Sequence, residues 1–152
     1  MSRFSSIVFG LIITLSISLI SISPAIAAIG LNNNHLEPCP SSPNCVLSQD
    51  GDEEHAVEPI TYKGDRSDVK EALLKVLSVV PRTEVIEDTG DYIHTESTSR
   101  IFKFVDDVEF YFPEGENVIQ VRSASRVGES DLGVNRRRIE QIRLALADLL
   151  GQ

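Results

Sequence analysis

The sequence predicts an α+β domain of order β-α-β-β-β-β-α, an antiparallel meander sheet with two helices packed on one face. Three observations carry this prediction. Two stretches, opening near Ser67 and Asn135, carry apolar residues at helical spacing. Between them lie four strand-like runs with short, turn-rich connections, which favours antiparallel neighbours. Of the 152 residues, roughly the first 27 read as a leader, and the remaining 125 or so suit one domain with its own core.

Met1–Ala27 has the parts of a secretory signal peptide. Arg3 is a thin positive start and Ile7–Ile22 an apolar stretch. Pro24 breaks the helix, and Ala25-Ile26-Ala27 offers a small-x-small cleavage pattern. No Cys follows, which argues against lipoprotein attachment. Cleavage is expected, an uncleaved anchor being the alternative. Either way the domain is placed outside the cytoplasm, in the periplasm, the extracellular space or, in a photosynthetic source, the thylakoid lumen. Residues 28–54 form a Cys-containing irregular segment that ends in the acidic run Asp50-Gly51-Asp52-Glu53-Glu54. Residues 55–152 are expected to form the α+β domain.

Within that domain, Ala56–Tyr62 is the first strand, held near an edge by Pro59. Lys63-Gly64-Asp65 is a turn, and Ser67 caps a helix carrying Val69, Leu73, Leu74, Val76, Leu77 and Val80 until Pro81 stops it. Thr83–Glu87 and Tyr92–Thr98 form a hairpin about Asp88-Thr89-Gly90-Asp91. Ile101–Phe112 and Asn117–Ser125 are the next strands. Asn135–Leu150 is a helix with Ile139, Ile142, Leu146, Leu149 and Leu150 on one stripe, closed by Gly151. This order matches the TATA-binding-protein-like topology, a comparison that says nothing about DNA binding.

Composition narrows the function. With 14 basic against 23 acidic residues the net charge is −9, a poor match for nucleic acid, whose binding needs a basic footprint. No apolar run outside the leader approaches the ~20 residues of a membrane span, so membrane contact is expected only through an uncleaved leader. Cys39 and Cys45 stand in the Pro/Ser-rich stretch Pro38-Cys39-Pro40-Ser41-Ser42-Pro43-Asn44-Cys45. In an oxidising compartment they are expected to close a small disulfide loop. The alternatives are a redox pair, which lacks C-x-x-C spacing, and a zinc site with His35 and His55, whose spacing fits no zinc pattern. No metal and no cofactor is expected.

Several residues break the pattern. Along Ile101–Phe112 the alternation puts Asp106 on a face with Phe102, Phe104, Val108, Phe110 and Phe112. Such a carboxylate must be paired, protonated or displaced by a bulge. Pairing with an Arg or with helix-start donors is the bland reading, and a functional carboxylate the sharp one. Asp107 and Glu109 lie on the other face, where Arg122 of the next strand is their natural cross-strand partner. From Arg122 to Gln152 there are six Arg against four acids, whereas Ala28–Val121 carries seven basic against nineteen acidic residues. These Arg either neutralise the chain's own acids or build an anion site. In the second case Arg122, Arg126 and Arg136 converge on free N–H groups at Asp131–Asn135, with Gly128 and Gly133 bending the loop. Asp131 is the competing occupant of that helix start. The expected ligand-binding set is Asp106, Asp107, Glu109, Arg122, Ser125, Arg126, Asn135 and Arg136. No G-x-S-x-G elbow or H-E-x-x-H is present. A Ser/His/Asp grouping of Ser125, His94 and Asp106 across the sheet remains open.

Three motifs, Cys39–Val46, Phe104-Val105-Asp106-Asp107-Val108-Glu109-Phe110 and Val121–Glu140 (VRSASRVGESDLGVNRRRIE), resemble the domain of unknown function 1499 family over roughly Cys39–Leu150. The resemblance implies that the Asp/Glu strand and the Arg segment belong to one signature, and bacterial or photosynthetic sources. It implies almost nothing about activity. Leu47 departs from it, since a small polar residue is expected there. The reading that follows is a non-enzymatic exported domain binding a small anion or a protein partner. The alternatives are a hydrolase-like enzyme using Asp106, Asp107 or Glu109 with Arg122 or Arg126 as substrate anchor, and a structural or interaction module with no ligand site.

Overall fold

A computed structural model describes residues 28–152, and the expected leader lies outside them. The elements are β1 (Leu31–Asn32), β2 (His35–Leu36), β3 (Cys45–Leu47), β4 (Ile60–Thr61), α1 (Arg66–Val79), β5 (Thr83–Asp88), β6 (Tyr92–Thr98), β7 (Val105–Tyr111), β8 (Val118–Ser125) and α2 (Val134–Leu150). From β4 onward this is the α+β order expected. The main sheet runs β3-β8-β7-β6-β5, with every pair antiparallel. β4 pairs with the same edge of β8 as β3, one strand beside each half of it: Cys45 faces Ala124, and Ile60 faces Ile119.

Three elements differ from expectation, each for a local reason. The segment expected to be irregular holds the β1–β2 hairpin and β3, so the sheet begins ahead of residue 55. Ala56–Tyr62 shortens to Ile60–Thr61, because Ala56 bridges to Leu47 in parallel and Pro59 has no N–H to donate. Ile101–Phe112 starts only at Val105. The Ser99 N–H donates to the Phe104 carbonyl and the Phe104 N–H to Ser99 Oγ, and Lys103 is left-handed at φ 58°. These contacts close a tight loop that turns Ile101, Phe102 and Phe104 out to solvent.

The helix starts also have particular causes. Asp65, not Ser67, occupies the position before α1. Gly133 precedes α2 at φ 75°, a left-handed geometry that glycine adopts without steric cost. The Asp131 carboxylate accepts the N–H groups of Gly133 at 2.9 Å and Asn135 at 2.6 Å. α2 ends at Gly151, left-handed at φ 66°.

The two helices cover one face of the sheet. Val69, Leu73, Val76 and Leu77 of α1 and Ile139, Ile142 and Leu146 of α2 pack on Ile93, Val108, Phe110, Ile119 and Val121. Each such side chain contributes about 1.5–3 kcal/mol by burial. The other face is covered by the N-terminal segment, where Leu36, Leu47, Tyr92 and Tyr111 form a second cluster with Leu31 and Cys39 against it. Leu47, apolar where a small polar residue was expected, is a member of that cluster.

Cys39 and Cys45 are joined in a disulfide. The loop it closes is short and the main core lies elsewhere in the sequence. Cys39→Ser should therefore lower the unfolding free energy by about 2 kcal/mol and leave the far-UV circular dichroism of the folded domain unchanged. Loss of the fold would show that the bridge organises the core itself.

Candidate functional site

The sheet divides the polar residues of β7 and β8 by parity. Asp106 pairs in register with Ser97 on one side and Ser125 on the other, and all three look toward the helices. There the Arg138 guanidinium of α2 donates to Asp106 Oδ2. Its other terminal nitrogen donates to Ser123 Oγ, at 3.0 Å, and to Asn135 Oδ1. Asn135, fully buried, is the hub. Its Oδ1 accepts from Ser123 Oγ at 2.5 Å, and its Nδ2 donates to the Asn44 carbonyl at 2.9 Å and to Ser125 Oγ at 3.1 Å. One side chain thus joins α2, β8 and the loop before β3.

The opposite face carries Asp107, Glu109 and Arg122. Glu109 accepts from Arg122 Nη1 at 2.7 Å, from the Tyr92 hydroxyl at 2.7 Å and from the Gly30 N–H at 2.8 Å. Both members of the ion pair are 0% exposed. Asp107 accepts from His94 Nε2 at 2.8 Å and from Arg126 Nε at 2.9 Å and Nη2 at 2.8 Å. Arg126 Nη2 also meets Glu96. Burial and the Glu109 carboxylate push the Tyr92 phenol far above its ordinary range, so it stays a neutral donor.

The expected site residues therefore do not form one cluster. Asp106, Ser125 and Asn135 meet on the helix side. Asp107, Glu109, Arg122 and Arg126 lie on the other side. Arg136 reaches away from both, to the carbonyls of Ala56 at 2.7 Å and Glu54 at 2.8 Å. The expected convergence of Arg122, Arg126 and Arg136 is corrected: the sheet separates the first two from the third. Asp131 occupies the helix start where the anion was placed. The Ser125/His94/Asp106 grouping is also overturned, because His94 bonds Asp107 on the far face. Among the described residues no group of three or more His, Cys, Asp or Glu could hold a metal ion.

One open space adjoins the helix-side network. A cleft of about 480 Å³ lies between the end of α1, the start of α2 and the adjoining ends of β5–β7. Asp106 and Arg138 lie at its inner end, with Ser97 and Thr83, whose hydroxyls bond one another at 2.7 Å. Exposed Arg82, Arg100 and Arg137 line it as well. Among the described residues none of these three has a carboxylate within 4 Å. Arg82 Nε donates to the Thr98 carbonyl, and Arg137 Nη1 to that of Leu132. Sequence reasoning missed this set. Arg138 was open to discovery, three residues after Asn135 and so on the same helix face. Arg82 and Arg100 sit at a strand entry and in a loop, where no periodicity marks them.

The Asp107 cluster predicts a pH dependence. Burial alone would raise the Asp107 carboxyl, but the hydrogen bonds from His94 and Arg126 outweigh it and hold it below its ordinary 3.8. A depressed carboxylate stabilises the fold above its unfolded pKa, and that share is lost as pH falls through the folded value. Asp107→Asn should cost about 1.5–3 kcal/mol at neutral pH. The gap to the wild type should close as pH drops below 3.8, read from urea unfolding across pH. A gap that does not vary with pH would mean that Asp107 is not held ionised in the fold.

A search of curated proteins finds no match to this chain. A family model does match, described as a protein of unknown function (DUF1499), over residues 35–146. That span holds β2 through most of α2 and both polar networks except the Gly30 N–H, and on that match the chain belongs to the DUF1499 family.

Proposed function

We propose that this chain is a non-enzymatic binder of a small anionic ligand, and that its site is the cleft beside Asp106 and Arg138 rather than the helix start. One observation carries the reading. In a chain of net charge −9, Arg82, Arg100 and Arg137 line a single cleft without carboxylate partners among the described residues, while Arg122, Arg126 and Arg138 are engaged by Glu109, Asp107 and Asp106. Three guanidiniums held near one another repel when empty, and a carboxylate or phosphate would relieve that repulsion with bidentate hydrogen bonds. The Thr83–Ser97 hydroxyl pair adds one neutral donor, its other proton being shared between the two oxygens. Asp106 is already paired with Arg138. Asp107 and Glu109, assigned acid/base roles in the enzymatic alternative, lie buried on the far side of the sheet, out of reach of a ligand in the cleft. The closed Cys39–Cys45 bridge supports the expected location outside the cytoplasm.

Unfolding temperatures measured at constant ionic strength, with only the anion varied, test this. Phosphate, sulfate or a dicarboxylate should stabilise the wild type relative to chloride, by about 2.7 kcal/mol at a hundredfold excess over the dissociation constant. Arg100→Gln with Arg137→Gln should remove that increment. Stability in chloride should change by no more than about 0.5 kcal/mol, since both side chains are exposed. An anion-independent wild type would overturn the reading.

A further inference from the structure

The loop between β6 and β7 shares Arg100 with the cleft, but its other residues are ones that the small-anion reading does not use. Arg100-Ile101-Phe102-Lys103-Phe104 protrudes from the end of the sheet. Ile101 is 78%, Phe102 72% and Phe104 50% exposed. The two aromatic rings stack on each other, with centroids 5.5 Å apart. The base of the loop is pinned by the Ser99–Phe104 hydrogen bonds, so the tip is held out rather than folded back. Ordering three large apolar side chains in water gains nothing for the fold, and clustered exposure of this kind marks an interaction site.

The same end of the molecule carries more apolar surface. The Arg126 N–H donates to the Val105 carbonyl, which sets the loop before α2 beside the base of the tip. In that loop Val127 and Leu132 are exposed, Leu132 at 84%, and Val134 at the start of α2 is partly so. Val79, at the end of α1, is exposed as well. Cations sit among them, Arg100 and Lys103 in the tip itself and Arg82 and Arg137 beside it; the loop before α2 also carries exposed Glu129, and Asp131, whose carboxylate is taken up by the Gly133 and Asn135 N–H groups. Residues 99–104 contain no acid. The far end of the sheet is more acidic, with Asp91, Glu114 and Glu116 in its two connections and Asp88, paired to Lys70, at the end of β5.

We infer that this end of the protein docks onto an anionic lipid surface. Ile101, Phe102 and Phe104 would enter the boundary between headgroups and acyl chains, and Arg100 and Lys103 would rest on lipid phosphates. A convex apolar tip flanked by cations fits the layering of a bilayer surface, apolar within and anionic without. The acidic far end then points away from the membrane. A second copy of this chain is a worse occupant, since pairing the same ends would bring like cations together. This departs from the expectation that membrane contact runs only through the leader. Nor does it require a transmembrane segment: among the described residues no helix is long and apolar enough to cross a membrane.

The chain contains no tryptophan, so a single introduced one reports on its own position. The test uses the full chain carrying Phe102→Trp, and separately Leu144→Trp, an exposed apolar site on the outer side of α2. Vesicles of equimolar phosphatidylcholine and phosphatidylglycerol should shift the Phe102→Trp emission to the blue, and brominated acyl chains should quench it. The Leu144→Trp emission should not move. Adding Lys103→Gln to the first variant, which leaves the three cleft arginines in place, should weaken vesicle binding about fivefold, from roughly 1 kcal/mol per cation near the surface. An unmoved Phe102→Trp emission would overturn the inference. So would an equal response at position 144, equal affinity for pure phosphatidylcholine, or a blue shift that grows with protein concentration without vesicles, which would mean self-association. The vesicle readout does not depend on an anion in the cleft, so it and the anion series can fail separately.

Discussion

The buried pair of Arg122 and Glu109 is the constraint on which the rest of the arrangement turns. A guanidinium with no solvent exposure needs a countercharge, and among the described residues Glu109 is the one it has. Its Nε and Nη2 atoms have no hydrogen-bond partner there, which makes the one contact to Glu109 the more decisive. Glu109 in turn is committed at both oxygens, to Arg122, to Tyr92 of the neighbouring strand and to the Gly30 N–H of the N-terminal segment. A buried pair of this kind adds little stability over a well-packed apolar pair, but removing one partner is costly. Here it also penalises a slipped register, since moving β8 by one residue would carry Arg122 to the helix side among Phe110, Val108 and Ile139.

From that constraint follows the division of charge across the sheet. Strand parity sends Asp107 and Glu109 to the N-terminal cover and Asp106 to the helices, and each carboxylate is met by a different Arg. The signature that looks chemically loaded in one dimension is thus largely spent on holding β6, β7, β8, α2 and the loop before β3 in place. Asn135 performs the joining on the helix side and Glu109 on the other. Of the arginines without a carboxylate partner among the described residues, Arg82, Arg100 and Arg137 gather at one end of the molecule, whereas Arg66 reaches the Gly90 carbonyl at the other and Arg136 the carbonyls of Glu54 and Ala56. The end with Arg82, Arg100 and Arg137 also carries the molecule's most exposed apolar loop. An acidic protein therefore presents one cationic, partly apolar pole.

Much of this was legible in the residues. The bounds of β6 followed from the turn at Asp88–Asp91, and both helices from their apolar stripes and their stops at Pro81 and Gly151. The break at Asp106 correctly marked a buried carboxylate, and alternation put Arg122 on the face of Asp107 and Glu109, between which the strand register selects Glu109. The grouping of the site residues failed because alternation was not carried far enough. Ser125 and Arg126 are adjacent, so a regular chain sends them to opposite sides of the sheet. The same holds for Asp106 and Asp107. Other elements left no signal to read. β3 has three residues after a Pro/Ser-rich loop and pairs only because β8 offers a free edge. The loop at Ser99–Phe104 interrupts a run of aromatic and charged residues that reads as continuous strand. Arg82 adopts a left-handed backbone at φ 58° without any of the residues that usually announce one.

A double-mutant cycle on Glu109 and Arg122, read by urea unfolding, tests the central claim most directly. Glu109→Leu leaves an unpaired buried cation, and Arg122→Met an unpaired buried carboxylate. Each single substitution should cost about 3 kcal/mol or more. The double substitution, which removes both charges, should cost less than Glu109→Leu alone. Losses that simply add, leaving the double variant the least stable of the three, would contradict the account by showing that neither charge depends on the other.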